Sequence, residues 1–168
     1  MALRKVYERS GTITADGQWS LPALDLSEAD QLKLVVTLTG APAGTSPTLN
    51  VRLQSRQAEN VWDDRISLAQ FTGSDTTGET KEGVIQKFGS LSDTEEAHEP
   101  SGSSSSRLAA GTVLNGPFPG PYRESCSFRN GEPGANQAAT GWRLDFDIGG
   151  TGSPSFAITV RLYSDSAY

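Results

Sequence analysis

The chain has 168 residues, 35% of them apolar, 18 glycines, nine prolines and a net charge of −6. That length suits one domain with a real core, and the turn-forming composition favours strands and long loops over helices. The acidic balance argues against nonspecific binding to nucleic acid or an anionic membrane, the lone Cys126 excludes a disulfide framework, and no apolar run reaches membrane-spanning length.

The N-terminus, MALRKVYERSGTI, has positive residues but no apolar segment behind them, so it is not read as a signal peptide. Residues 1–9 read as a basic N-terminal arm carrying Arg4, Lys5 and Arg9, with Tyr7 among them. These four residues are the candidate interface: in a chain of net −6, three cations in so short a stretch suit an acidic neighbour, and a disordered chain end is the alternative. Residues 10–168 read as a single β-sandwich domain.

Within that domain, residues 10–15 predict a strand, and 18–21 a second one after the turn dipeptide Asp16-Gly17. Asp25 to Asp30 suits one helical turn capped by Asp25 or Ser27. In 31–39, Leu32, Leu34, Val36 and Leu38 share one parity, the signature of a half-buried strand. With 48–55 it predicts a β-hairpin over 31–55. Residues 56–71 suggest one or two short strands, 72–83 a loop, and 84–88 a short strand.

Residues 92–106 are low-complexity: an acidic run, a proline and then serines, a composition too poor in apolar area to offset its ordering entropy. Strands are expected over 108–114 and 122–129, with the proline-rich connector 115–121 between them and a polar loop over 130–141. Trp142, Leu144, Phe146 and Ile148 then alternate, and a turn at 149–153 leads to a last strand over 155–163, predicting a second hairpin. About eight strands and almost no helix point to an all-β, antiparallel sandwich, best matched by a jelly roll.

Two segments repeat one phrase: GTSPTLNVRL at 44–53 and GTGSPSFAITVRL at 150–162. Each has a Gly/Thr/Ser turn, a Ser-Pro pair and an alternating strand ending in Val-Arg-Leu, so each is expected to be the return strand of its hairpin.

No residue pattern carries catalytic chemistry. The one histidine, His98, lies in the acidic low-complexity segment, where a rigid, oriented base is not expected. Cys126 shares a parity with Phe128 and reads as a small buried apolar residue. Asp145 and Asp147 project from one strand face, and Asp63-Asp64 form a second acidic pair; the outer face of an alternating strand accounts for them as solvated acids, against calcium binding or glycosidase chemistry. The glycines form no phosphate cradle. Trp142 reads as core, while Trp19 and Trp62 are candidates either for core or for stacking on a sugar. No enzyme activity, cofactor or metal is expected.

The stretch LKLVVTLTGAPAGTSPTLNVRLQS (32–55), Trp62-Asp63-Asp64, Phe71-Thr72 and the closing DFDIGGTGSPSFAITVRLYS resemble small virion proteins of tailed bacteriophages, among them capsid decoration, or cement, proteins. The resemblance covers the first third and the last quarter of the chain, and nothing in 72–141 carries it. It implies a β-sandwich on the capsid exterior that binds the major capsid protein and clamps its subunits. It also implies a homo-oligomer such as a trimer, synthesis in the host cytoplasm, no catalytic residues, and no direct contact with nucleic acid or membrane. A neck or tail component, or a carbohydrate-binding β-sandwich module, is the alternative.

Overall fold

The computed structural model describes residues 2–22, 29–58, 61–86, 108–113 and 141–165. The described residues form eight strands in chain order: β1 (Arg4–Ile13), β2 (Gly17–Ser20), β3 (Gln31–Leu38), β4 (Ala43–Ala58), β5 (Val61–Ser67), β6 (Phe71–Thr72), β7 (Thr80–Gln86) and β8 (Trp142–Ser164). The fold is all-β, with no helix among the described residues, and every strand pairing is antiparallel. The sheet curls until it is nearly a barrel.

β8 is its axis. Its first half, Trp142 to Gly149, lies between β2 and β4; its second half, Phe156 to Ser164, lies between β1 and β3. β7 continues the sheet beyond β3, and β5 and β6 continue it beyond β4. The alternation read from the sequence decides which side is inward. Leu32, Leu34, Val36 and Leu38 of β3, Leu49, Val51 and Leu53 of β4, and Leu144, Phe146, Phe156, Ile158, Val160 and Leu162 of β8 are at most 2% exposed and form one core. Burying a side chain of this size contributes about 1.5–3 kcal/mol.

The two expected hairpins are not formed. Residues 31–38 do not pair with 48–55, nor 142–148 with 155–163. Instead the two segments pair with each other, as one long ribbon bent in the middle: Leu32 faces Ser164, Leu38 faces Ile158, Leu49 faces Ile148, and Ser55 faces Trp142. The bend lies where the repeated phrases meet. Ser46 and Ser153, each preceding its proline, both have positive φ, 48° and 58°. Gly44 and Gly150 let the two backbones touch: a Cβ on Gly44 would lie 2.8 Å from Pro154 Cα, and one on Gly150 would lie 2.9 Å from Pro47 Cα. The phrases therefore make the two sides of a single corner.

β1 and β2, joined through the expected Asp16-Gly17 turn, both pair with β8 rather than with each other. They follow β8 around the same bend, and Asp16 Oδ1 accepts a hydrogen bond from the Ile148 amide at 2.8 Å to hold the turn there. On the opposite side, β7 approaches β5 at Gly83, where a Cβ would lie 2.6 Å from Ile66 Cγ2. The segment 108–113, expected as a strand, makes a single bridge, Val113 to Ile66, and hydrogen bonds along Ser67. The loop expected over 72–83 ends early, because β7 begins at Thr80. The helical turn at 25–30, most of 84–106, the connector, the 122–129 strand, His98 and Cys126 lie wholly or largely outside the described residues.

The 72–79 loop is held by Asp75, whose carboxylate accepts from Lys81 Nζ at 2.8 Å and from the Thr72 amide at 2.9 Å, while Lys81 sits over the Phe71 ring. Burial raises the Asp75 pKa, but the Lys81 and Thr72 hydrogen bonds outweigh it and hold the carboxyl below its ordinary value. A carboxyl depressed in the fold contributes its full stability above the unfolded pKa and loses it as pH falls through the folded one. Asp75→Asn is expected to cost about 1 kcal/mol at neutral pH. The gap to the parent should close as pH drops below about 4, which urea titrations at several pH values will measure.

Candidate functional site

The four interface candidates all lie on one strand. Arg4, Lys5 and Arg9 are exposed along β1, and Tyr7 is half-buried. The segment expected to hang as an arm is thus built into the sheet: Arg4 faces Ser164, Tyr7 faces Leu162 and Arg9 faces Val160, with a bulge between Lys5 and Tyr7. Its electrostatics centre on Glu8, which binds Lys5 Nζ at 2.7 Å and Arg161 Nε at 2.8 Å. Lys5 first and Arg161 second pull the Glu8 carboxyl below its ordinary pKa. Burial pushes the Tyr7 phenol up, against the opposing pull of Arg9.

Arg9 has a second role. Its guanidinium lies 4.3 Å from the centre of the Trp19 ring, and that ring meets Phe146 edge-on at 4.8 Å. The indole also fills the space over Gly11, where a Cβ would lie 2.9 Å from Trp19 Cζ2. Trp62 is 9% exposed and carries the Arg143 guanidinium 4.2 Å from its ring centre. Arginines thus occupy positions over both indoles where a sugar would stack. Trp142 is core, at 2% exposure.

The acids read as solvated are buried. Asp64, Asp145 and Asp63 are 0%, 2% and 7% exposed; Asp147 alone of the four is half open. Cross-strand register gathers them: Arg52 faces Asp145, Asn50 faces Asp147, and Gln54 faces both Arg143 and Asp64. Arg52, 8% exposed, stands at the centre, with Nε 3.6 Å from Asp64 and Nη1 3.6 Å from Asp145 and 3.8 Å from Asp147. Hydrogen bonds complete the network. Gln54 Nε2 donates to Asp64 Oδ1 at 2.6 Å, Arg143 Nε donates to Gln54 Oε1 at 2.6 Å, and Gln18 Nε2 donates to Asp145 Oδ1 at 3.2 Å. The Leu108 amide donates to Asp64 Oδ2 at 3.1 Å, which anchors the 108–113 segment over this face.

With a guanidinium already among the carboxylates, the network ties four strands and one connecting segment together. Arg52, Gln54 and Arg143 were not singled out in the sequence. Their alternation marks them as facing away from the core, and nothing local signals that a distant segment covers that face.

Among the described residues, no group of three or more His, Cys, Asp or Glu is placed to hold a metal, and no helix is long and apolar enough to cross a membrane. Comparisons with family models, with curated proteins and with solved structures return no match to the chain.

Proposed function

We propose that this chain is a structural protein of a tailed-phage virion: a decoration protein that sits on the capsid exterior, binds the major capsid protein and stabilises the shell. In this reading the curled sheet is a two-layered sandwich of jelly-roll type, and copies cluster on the capsid as a homo-oligomer such as a trimer. The observation that carries it is β1, a ten-residue strand on the outside of the sheet that presents Arg4, Lys5 and Arg9 to solvent on an otherwise acidic chain. The likeness of 32–55 and 145–164 to phage virion proteins supports the same reading, because those segments build the paired, bent ribbon that supports β1. Many symmetry-related copies on a shell would multiply weak contacts of this kind.

Purified protein should cosediment with expanded capsids assembled without it. Arg4→Glu combined with Lys5→Glu should weaken that binding about tenfold or more, and added salt should weaken it further. No association at micromolar concentration overturns the proposal. So does absence of the chain from purified particles by mass spectrometry.

A further inference from the structure

The two sides of the curled sheet are finished differently. On the side of β5 and β7 the seam is closed: Gly83 admits Ile66, Lys81 reaches across to the Gln70 carbonyl, and the 108–113 segment hydrogen-bonds along Ser67. On the other side β1 pairs with β8 along its whole length, and no described residue pairs with its outer edge. In an antiparallel strand, alternate residues turn their N–H and C=O groups away from the partner, so this edge presents a row of backbone donors and acceptors that no described residue engages.

An open edge of this kind is ordinarily blunted by charge and by a bulge. β1 has both, but unevenly. The bulge is at its start, between Lys5 and Tyr7, so Tyr7 to Ile13 runs regularly. The charges are three cations against Glu8, and Glu8 is already engaged by Lys5 and Arg161. The field along the edge is therefore positive, on a chain of net −6. Like-charged cations disfavour pairing β1 with β1 of a second copy. Three cations beside a glutamate are also too few for a phosphate backbone.

We propose that the outer edge of β1 is a strand-addition site for an extended acidic segment of another protein. The segment adds to the sheet along Tyr7–Ile13 through backbone hydrogen bonds, with a carboxylate facing Arg9 and others on the part that runs on past Tyr7 and the bulge toward Arg4. This rests on β1 being the interface, as proposed above, and specifies the mode and chemistry of binding there.

Amide hydrogen exchange on the full chain tests it, with a capped peptide alternating valine and glutamate as the probe and its valine–lysine counterpart as the control. The glutamate peptide should slow alternate amides between Tyr7 and Ile13 about tenfold or more, and the lysine peptide should not. Arg4→Glu with Arg9→Glu should abolish the effect. Unchanged exchange along β1, protection only elsewhere, or equal response to both peptides overturns the proposal. Protection of β1 that grows with protein concentration alone, or that an oligonucleotide produces instead, assigns the edge to a second copy or to nucleic acid and also overturns it. Capsids that bind the chain while the peptide leaves β1 unprotected would overturn only the strand-addition mode. Peptide protection without capsid binding would overturn only the capsid reading.

Discussion

Arg52→Leu is expected to lower the free energy of unfolding by about 3–5 kcal/mol, the range for removing one partner from a buried ion network. Leucine keeps most of the bulk and removes the charge. Asp64 and Asp145, 0% and 2% exposed, would then keep their carboxylates away from water without the guanidinium that lies 3.6 Å from each. A loss of this size is about a fifth or more of the stability of an ordinary domain. The urea midpoint reads it directly. Exchange of the Leu108 amide adds a local readout, because that amide donates to Asp64 and should open earlier in the variant. A cost below about 1 kcal/mol for Arg52→Leu would mean that the network behaves as a solvated surface cluster, and the covered-face account would fail.

What the sequence made legible was the inward face of each strand. Leu32 to Leu38, Leu49 to Leu53 and Phe156 to Leu162 are buried as their alternation requires, because side-chain period is a local property of extended backbone. What it concealed was pairing. Two strands joined by a short turn suggest a hairpin, yet 31–38 pairs with 158–164 and 48–55 with 142–149. That choice depends on a contact between two turns a hundred residues apart, which neither turn signals alone. The basic segment was legible as a cluster of charge but not as a strand, because its support is β8, at the far end of the chain. The acids were seen as pairs, but Asp63, Asp64 and Asp145 were misplaced as solvated, because the groups that meet Asp64 and Asp145, the Leu108 amide and the Gln18 and Arg52 side chains, come from distant parts of the chain. Of the candidate site, the acids were therefore visible, while Arg52, Gln54 and Arg143, which hold them, were not, and neither was their setting.

The repeated phrase provides the second large effect. Gly150→Ala introduces two costs at once. The backbone φ of +112° is strained for any residue with a Cβ, and that Cβ would sit 2.9 Å from Pro47 Cα and 3.0 Å from the carbonyl oxygens of Thr45 and Ser46. Those neighbours are backbone, so no side-chain rotation relieves the contact. Conformational strain costs about 1–3 kcal/mol and overpacking adds about 1–3 more, so a loss of about 2–6 kcal/mol is expected. Gly44→Ala should behave alike, with its Cβ 2.8 Å from Pro154 Cα at a φ of +105°. Two controls separate the terms. Gly78 has a φ of +91° and open space around its Cβ position, so Gly78→Ala should show the conformational part alone. Gly17 has neither constraint, and Gly17→Ala should be neutral or slightly stabilising through the unfolded chain. If Gly150→Ala costs no more than Gly78→Ala in urea denaturation, the two phrases do not meet as a close-packed corner. If they do meet, Gly44→Ala and Gly150→Ala combined should cost less than their sum. The first substitution already forces the two turns apart, and the second then enters a corner that has opened. Subadditivity between positions so distant in sequence would be the thermodynamic signature of a ribbon folded back on itself, with one copy of the phrase on each side of the bend.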